Sequence, residues 1–196
     1  MVEARELRGN KRFSRDEGSK EGLEEQASDL TMSYKKKSWQ EKLTDKKGFP
    51  KILRLEKTFP CYKTVHKMGA EIGDEVILVN PSEVVEIMRK IPQGKVITIT
   101  EICKQIAKKH GVEACCSLTT GIFIMIAANA AEEATKEGKN LNIPYWRTLK
   151  ANGRLNEKFS GGAAAHKTLL EKEGFSIIQK GKRLFVESYE KYLMNM

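Results

Sequence analysis

The chain of 196 residues is 40% hydrophobic and 31% charged, and its formal net charge is +9. Its length allows one domain with a sizeable core and an appendage. Because no apolar run reaches about 18 residues, we expect no transmembrane helix. The N-terminus has no apolar stretch, so we expect no secretory signal. The positive charge favours an anionic partner, nucleic acid first, although many soluble proteins are basic.

Residues 1–48 have the composition of a flexible, charged N-terminal arm. They mix twelve Lys and Arg with ten Asp and Glu, contain few apolar residues and show no sustained hydrophobic period. The cluster at residues 34–39 places three lysines between two aromatic residues, a pattern compatible either with a nucleic-acid contact or with a solvated tail. We therefore predict an arm that ends where the apolar content rises, at residue 49.

The next segment, residues 49–80, is predicted to be a short α/β extension. Residues 76–79 are all apolar and follow a Gly-Asp turn signal, which indicates a short buried strand. Asn80 then has the character of a helix N-cap, with Pro81 at the first helical position and Glu83 in the place that closes a capping box. The chain is therefore expected to pass from a strand directly into a helix.

Two further helices and the turn between them suggest a helix-turn-helix. The first begins at Thr98, with Glu101 closing a capping box, and ends at Gly111. The second begins near Ser117, and its residues 122–128 are apolar on every side, which predicts deep burial. Taken alone, two helices joined by a turn are a weak signal.

The C-terminal part contains a loop, a helix and a hairpin. Residues 138–160 are rich in loop-forming types, residues 163–173 predict a helix, and residues 175–186 predict a β-hairpin with a basic tip, followed by a short helix. The sequence thus divides into four predicted parts: an arm at 1–48, an extension at 49–80, a main domain at 81–175, and a hairpin with a helix at 176–196.

The cysteine pattern predicts reduced thiols and no metal site. No pair forms a CxxC motif and no Cys/His pair has zinc spacing; the cysteines are Cys61, Cys103, Cys115 and Cys116. Reduced thiols are typical of a cytoplasmic protein. We expect no cofactor.

Three separated blocks resemble the DNA-binding domain of the alkylguanine-DNA alkyltransferase family, also called methylated-DNA–protein-cysteine methyltransferases. Residues 91–96 read I-P-Q-G-K-V, where the family has I-P-x-G-K-V. Residues 143–147 read I-P-Y-W-R, where the family has I-P-C-H-R. Residues 159–174 contain F-S-G-G, a lysine, L-L and E-G in the family's order. The resemblance implies a mainly α, α/β fold: a winged-helix-like helix-turn-helix domain with a short C-terminal β-hairpin.

The resemblance also implies that the reactive centre has changed. In the family a cysteine thiolate accepts the alkyl group of a damaged guanine, a histidine activates that cysteine through water, and a glutamate orients the histidine. The cysteine position is Tyr145 and the histidine position is Trp146, so of the three only Glu173 remains. We predict no self-alkylation here, because a phenol is mostly protonated at neutral pH. The aromatic pair either lines a lesion pocket or fills it.

Two DNA-contacting positions of the family differ as well. The tyrosine that helps to turn the nucleotide out aligns with Ile99, and the arginine that fills the vacated space aligns with Leu118. Leucine can still act as an apolar wedge. Residues 117–131 contain no Lys or Arg, so phosphate contacts must come from elsewhere.

The candidate site residues form two sets. The predicted lesion pocket consists of Pro144, Tyr145, Trp146, Arg147, Phe159 and Ser160. The predicted DNA-binding set consists of Ile99, Thr100, Ser117, Leu118, Thr119, Thr120, Gly121, Lys108, Lys109, Lys150 and Arg154.

Three functional hypotheses follow. The leading one is a non-catalytic, alkyltransferase-like protein of DNA repair that binds double-stranded DNA and recognises damaged or alkylated guanine, with a repair protein as a possible partner and no membrane. The second is a protein-interaction module on a degenerate scaffold. The third is a residual alkyltransferase that uses Cys115 or Cys116, since a helix N-terminus lowers the pKa of a thiol.

Overall fold

The computed structural model describes residues 37–45 and 48–194. The first described element is helix α1, Trp39–Thr44, which packs against the long helix of the domain. The predicted flexible arm over 1–48 therefore extends too far: its last part is helical because Ser38 and Glu41 form a capping box and the long helix supplies a packing surface. The rest of the predicted arm, residues 1–36, lies outside the described residues. Among the described residues, no helix is both long and apolar enough to span a bilayer.

A small sheet and a short helix make up the extension that precedes the main domain. Strand β1, Lys51–Arg54, pairs antiparallel with β2, Glu75–Leu78, and helix α2, Tyr62–His66, lies between them in the chain. Strand β4, Ala114–Cys115, adds in parallel to β2 and ties the extension to the main domain. The strand predicted at residues 76–79 is observed one residue earlier.

Helix α3, Pro81–Arg89, begins as expected, but its capping differs from the prediction. The side chain of Asn80 accepts a hydrogen bond from the backbone N–H of Ser82 at 2.9 Å. Glu83 does not close a capping box; its carboxylate instead accepts from His110 at 2.8 Å and from Lys109 at 3.0 Å. Because its partners are a lysine and a histidine of a neighbouring helix rather than one backbone N–H of its own helix, Glu83 joins two helices.

Helices α4, Ile99–His110, and α5, Ser117–Lys136, form the helix-turn-helix. The side chain of Thr98 caps α4, and Gly111 ends it with a φ of 65°, a left-handed conformation that glycine adopts without steric cost. Helix α5 buries Phe123, Ile124 and a series of alanines in the main core, which it shares with α3 and α4. The expectation that residues 122–128 are deeply buried is correct only for Phe123, Ile124, Ala127 and Ala128. Ile122 is 51% exposed, and Met125 and Ile126 are partly exposed, because one side of α5 faces solvent.

The C-terminal elements close the domain. Strand β3, Ile97–Thr98, pairs in parallel with β5, Thr148–Leu149, and helix α6 spans Gly162–Glu171. Strands β6, Ile177–Lys180, and β7, Arg183–Val186, form the predicted hairpin with its basic tip. Within residues 37–45 and 48–194, the remaining elements are three 3₁₀ turns: Tyr145–Arg147, Ala151–Gly153 and Tyr189–Tyr192. The fold class, mainly α within α/β and winged-helix-like with a C-terminal hairpin, is confirmed.

Candidate nucleic-acid interface

The side chain of Tyr145 is buried at the start of a 3₁₀ turn, with 4% of its surface exposed. Its ring packs edge-to-face on Trp146 at 5.5 Å and on Phe159 at 5.2 Å between centroids. Its hydroxyl donates a hydrogen bond to the carboxylate of Glu132 on α5. Burial, and then this hydrogen bond to an anion, raise the pKa of the Tyr145 phenol well above its ordinary value, so the hydroxyl stays protonated.

Glu173 holds the two residues that follow Tyr145. The indole Nε1 of Trp146 donates to Glu173 at 2.7 Å, and the guanidinium of Arg147 donates to both carboxylate oxygens at 2.8–3.0 Å. Arg147 also donates to the carbonyl of Ile91 at 2.6 Å. Burial opposes ionisation of Glu173, but the hydrogen bonds from Arg147 and Trp146 outweigh it and hold the pKa of this carboxyl below its ordinary value. Arg147 is thus committed to an internal ion pair.

His166 fixes the same turn from the opposite side. Its Nδ1 accepts the backbone N–H of Asn156 at 3.0 Å, so Nε2 carries the proton and donates to the carbonyl of Trp146 at 2.6 Å. The side chain is 1% exposed, and burial lowers the pKa of His166 to about 4 despite these bonds. His166 is therefore a neutral structural residue that positions the Tyr145–Arg147 turn.

An open, mostly apolar groove of about 480 Å³ lies along the first half of α5. Five of the predicted DNA-binding residues line it: Ile99, Ser117, Leu118, Gly121 and Lys150. Leu118 and Ile122, one turn apart on α5, are each 51% exposed, which is high for large apolar side chains. The structure therefore brings the predicted flipping and wedge positions, Ile99 and Leu118, into one accessible surface, which we call the α5 groove.

Ten residues of the α5 groove lie outside the predicted DNA-binding set, although Trp39 belongs to the cluster at residues 34–39, whose pattern is compatible with a nucleic-acid contact. They come from α1, from the middle of α5, from β5 and from the segment that follows β5: Trp39, Lys42, Ile122, Ile124, Met125, Ile126, Thr148, Leu149, Asn156 and Lys158. The residue types of α1 gave a signal, a tryptophan beside lysines, but the contact between α1 and α5 is a tertiary one that no local pattern encodes.

Other members of the predicted DNA-binding set lie away from the groove. Thr120 is fully buried, and its hydroxyl bonds to the Cys116 carbonyl at 3.0 Å, so its assignment to the DNA contact is wrong. Thr119 donates to the Cys116 sulfur at 3.3 Å. Helical periodicity explains the split, because successive residues of α5 point in different directions.

The predicted basic contacts are similarly divided. Lys108 and Lys109 lie in the last turn of α4, about 15 Å from its start, and Lys109 is paired with Glu83. Lys150 borders the groove and is paired with Glu157 at 2.5 Å, while Arg154 approaches the same carboxylate at 3.8 Å. Thr100, on the first turn of α4, is partly exposed and is not among the residues that line the groove.

The predicted lesion-pocket residues are neighbours but do not form one pocket. Residues 144–147 line a second cavity of about 770 Å³ beside the C-terminal half of α5, together with Arg89, Glu132 and Leu169. Phe159 is buried behind Tyr145, and Ser160 is exposed at the approach to α6. Tyr145 lies beside Phe159 and next to the Trp146–Glu173 bond, as the alignment requires, but its ring fills space in the core.

All four cysteines are buried free thiols. Cys115 and Cys103 contact the hydroxyl of Thr120 at 3.3 and 3.5 Å. The hydrogen bond with Cys103, and then burial, raise the pKa of Cys115 far above its ordinary value. Within the described residues, no group of three or more His, Cys, Asp or Glu side chains is placed to hold a metal ion.

Comparison with known proteins finds a matching family and three similar chains among solved structures, including two from S. pombe. Residues 81–175 match the family described as 6-O-methylguanine DNA methyltransferase, DNA binding domain. The chain is similar to S. pombe Atl1 in complex with damaged DNA containing O6-carboxymethylguanine, at 21% identity over 59% of this chain and 94% of that chain, with a TM-score of 0.42. A second structure, S. pombe ATL in complex with DNA, has the same identity and coverage and a TM-score of 0.44. No curated protein matches the chain.

Proposed function

Because the chain belongs, through residues 81–175, to the 6-O-methylguanine DNA methyltransferase family of DNA-binding domains, we propose that it is a non-catalytic, alkyltransferase-like protein of DNA repair. It binds double-stranded DNA and recognises damaged, alkylated guanine without removing the alkyl group. The observation that carries this proposal is the buried, hydrogen-bonded Tyr145 in the position of the alkyl acceptor. The free cysteines favour a reducing compartment, which we take to be the cytoplasm.

The chemistry of the altered centre supports binding without transfer. Alkyl transfer needs an ionised nucleophile and a group that takes its proton. Tyr145 supplies a phenol whose raised pKa keeps it protonated, and Trp146 carries an indole N–H that donates but cannot accept. The pair therefore packs and donates hydrogen bonds but supplies neither an ionised nucleophile nor a proton acceptor.

The buried thiols argue against the hypothesis of a residual alkyltransferase. Cys115 and Cys116 are 0% and 3% exposed, and neither lines the α5 groove. The raised pKa of Cys115 also removes the thiolate that would attack. A bulky alkylated base has no open path to either sulfur.

The α5 groove supports the DNA-binding part of the proposal. Exposed Leu118 can insert between base steps, as apolar wedges do in other proteins that bend or open a duplex. Lys158 borders the groove and can approach a phosphate, and the net charge of +9 favours association with a polyanion.

The direct test compares duplexes that differ in one base. Fluorescence anisotropy is measured with a duplex containing O6-methylguanine and with its unmodified counterpart, at two salt concentrations. We expect salt-dependent binding of both and tighter binding of the modified duplex. Equal affinities for the modified and the unmodified duplex would contradict lesion recognition. Binding that does not respond to salt would contradict a DNA-binding function. Intact-mass spectrometry after incubation should show an unchanged protein mass.

The exposed apolar pair Leu118 and Ile122 also favours a second candidate, a protein-interaction module. Residues 117–131 of α5 contain no Lys or Arg, and an exposed apolar helix face of this kind is suited to a protein partner. A pull-down in nuclease-treated extract separates the two: one stoichiometric protein partner supports the module, and loss of every partner on nuclease treatment rejects it.

A further inference from the structure

Helix α1 lies outside the family domain, yet it is fixed to the middle of that domain. The backbone N–H groups of Trp39 and Gln40 donate to the carboxylate of Glu133 on α5 at 3.3 and 2.9 Å, and the Gln40 side chain donates to Glu137 at 3.2 Å. A free helix of six residues is not stable in water, so these contacts and the packing on α5 are what hold α1 in place. The side chains of α1 consequently have a defined position.

Two of these side chains, Trp39 and Lys42, line the α5 groove. They are three residues apart and therefore share one face of α1. The Nζ of Lys42 lies 4.1 Å from the centroid of the Trp39 ring, a cation–π arrangement. Together they provide an aromatic surface and a positive charge on the same cavity as Leu118.

If DNA binds in the α5 groove, the positive charge that contacts its phosphates must come from residues on the flanks of the groove. Residues 117–131 of α5 contain no Lys or Arg, and Lys150 is already paired with Glu157. Within residues 37–45 and 48–194, Lys42 and Lys158 make no ion pair, and they come from different flanks of the groove, α1 and the segment after β5. Lysines on two flanks of an apolar cleft complement a nucleotide, whose base is apolar on its faces and whose phosphates are anionic.

We propose that α1 is part of the DNA-binding surface: Trp39 provides an aromatic wall against which a nucleobase of the bound DNA stacks, and Lys42 contacts a backbone phosphate. This inference rests on the proposed function and adds to it a second recognition element, supplied by a segment before the family domain. The groove volume of about 480 Å³ is within the range of roughly 300–1,000 Å³ typical of sites for small organic groups.

The first experiment measures DNA affinity as a function of salt for K42A, with K63A as the matched control. Lys63 is an exposed lysine on α2 that does not line the groove. Loss of one phosphate contact should weaken binding and lower the slope of log affinity against log salt by about 0.9. K63A should retain the wild-type slope. Equal slopes for K42A and wild type would overturn the assignment of Lys42.

The second experiment uses the fluorescence of the two tryptophans, Trp39 and Trp146. Stacking of a base on Trp39 should quench the wild-type emission on DNA addition, and W39F should lose most of that quenching. W39A should bind DNA roughly tenfold more weakly, and W39F should keep most of the affinity. Quenching that is the same in wild type and W39F would reject the role of Trp39.

Two controls separate the possible failures. If wild-type protein binds no DNA, the proposed function itself fails. Weaker binding by L118A would show that the groove binds DNA. If K42A then keeps the wild-type salt slope and W39F keeps the wild-type quenching, only the inference about α1 fails. Thermal unfolding checks the fold of each variant. K42A and W39F decide the outcome even if W39A does not fold, because Lys42 makes no ion pair with any described residue and phenylalanine preserves an aromatic ring.

Discussion

The indole Nε1 of Trp146 donates a hydrogen bond of 2.7 Å to Oε1 of Glu173. By the family resemblance, this glutamate would orient a histidine at the position of Trp146. The indole reproduces the donor half of that arrangement, because its N–H points at the same carboxylate. It has no lone pair in the ring plane, so it cannot take a proton from a neighbour. The scaffold of the reactive centre has persisted while its proton acceptor has been replaced.

Replacing Tyr145 by cysteine, with Trp146 unchanged, should therefore not make the protein able to accept an alkyl group. We expect Y145C, incubated with a duplex containing O6-methylguanine, to show an unchanged intact mass. Trp146 cannot take the proton of the new thiol, and the Glu132 carboxylate that accepts from Tyr145 is a far weaker base than a thiolate, so the thiol stays protonated. The cavity left by the phenol ring also lowers stability, so thermal unfolding must first show that the variant is folded. Labelling with a thiol reagent after denaturation confirms that the cysteine is present. A mass increase of one methyl group in Y145C alone would contradict the assigned role of Trp146.

Removing Glu173 should destabilise the domain more than removing an exposed carboxylate nearby. E173A leaves the guanidinium of Arg147, 14% exposed, without its partner, which costs roughly 3–5 kcal/mol for a buried ion pair. The matched control is E171A, because Glu171 on α6 makes only an exposed contact with Lys167 at 3.6 Å and should cost at most about 0.5 kcal/mol. Urea denaturation at pH 7 measures both free energies of unfolding. Equal losses would show that Glu173 is not a structural anchor.

The main architecture could be predicted because its local signals agree with one another. The cap at Thr98 and the glycine at 111 set the ends of α4. The all-apolar run 122–128 indicates a buried helix, which is correct for four of its seven residues, whereas Ile122 is exposed. The I-P-Y-W-R block places Tyr145 and Trp146 beside Glu173 through alignment rather than through any local pattern. Each of these features depends on residues close in sequence or on an ordered set of motifs.

The site was predicted only in part because side-chain direction is a tertiary property. The run 117–121 suggests a continuous DNA contact, yet Thr120 points into the core while Leu118 and Gly121 line the groove. Arg147 was expected in an open pocket, but a buried carboxylate 26 positions later binds it. The role of α1 depends on its packing against Glu133, a contact across 93 residues that composition cannot reveal.

The free energy of unfolding should decrease as the pH is lowered, because of His166. Its pKa is about 4 in the folded protein and 6.5 when the chain is unfolded. Between these values the unfolded state binds more protons, so the free energy of unfolding decreases as the pH falls from 6.5 towards 4, by roughly 3 kcal/mol in total. About 2 kcal/mol of this should appear between pH 6.5 and 5, above the range in which Glu173 becomes protonated.

The measurement is urea denaturation at several pH values between 5 and 7, for wild type and H166Q. Glutamine can accept and donate as the neutral imidazole does, but it does not titrate. The slope of stability against pH should therefore be smaller in H166Q, whatever its absolute stability. Parallel curves for the two proteins would mean that His166 is not buried in its neutral form.

An arginine at position 118 should strengthen DNA binding. Leu118 is 51% exposed on α5 and aligns with the family's arginine, so L118R adds a cation to the groove without disturbing the core. We expect unchanged thermal stability, tighter binding of duplex DNA, and a salt slope steeper by about 0.9 if the guanidinium contacts a phosphate. I122R is the matched control, because Ile122 has the same exposure one turn further along the helix. Anisotropy titrations should show a larger gain for L118R than for I122R. Equal gains would indicate a general effect of charge, and Leu118 would then have no special position in the interface.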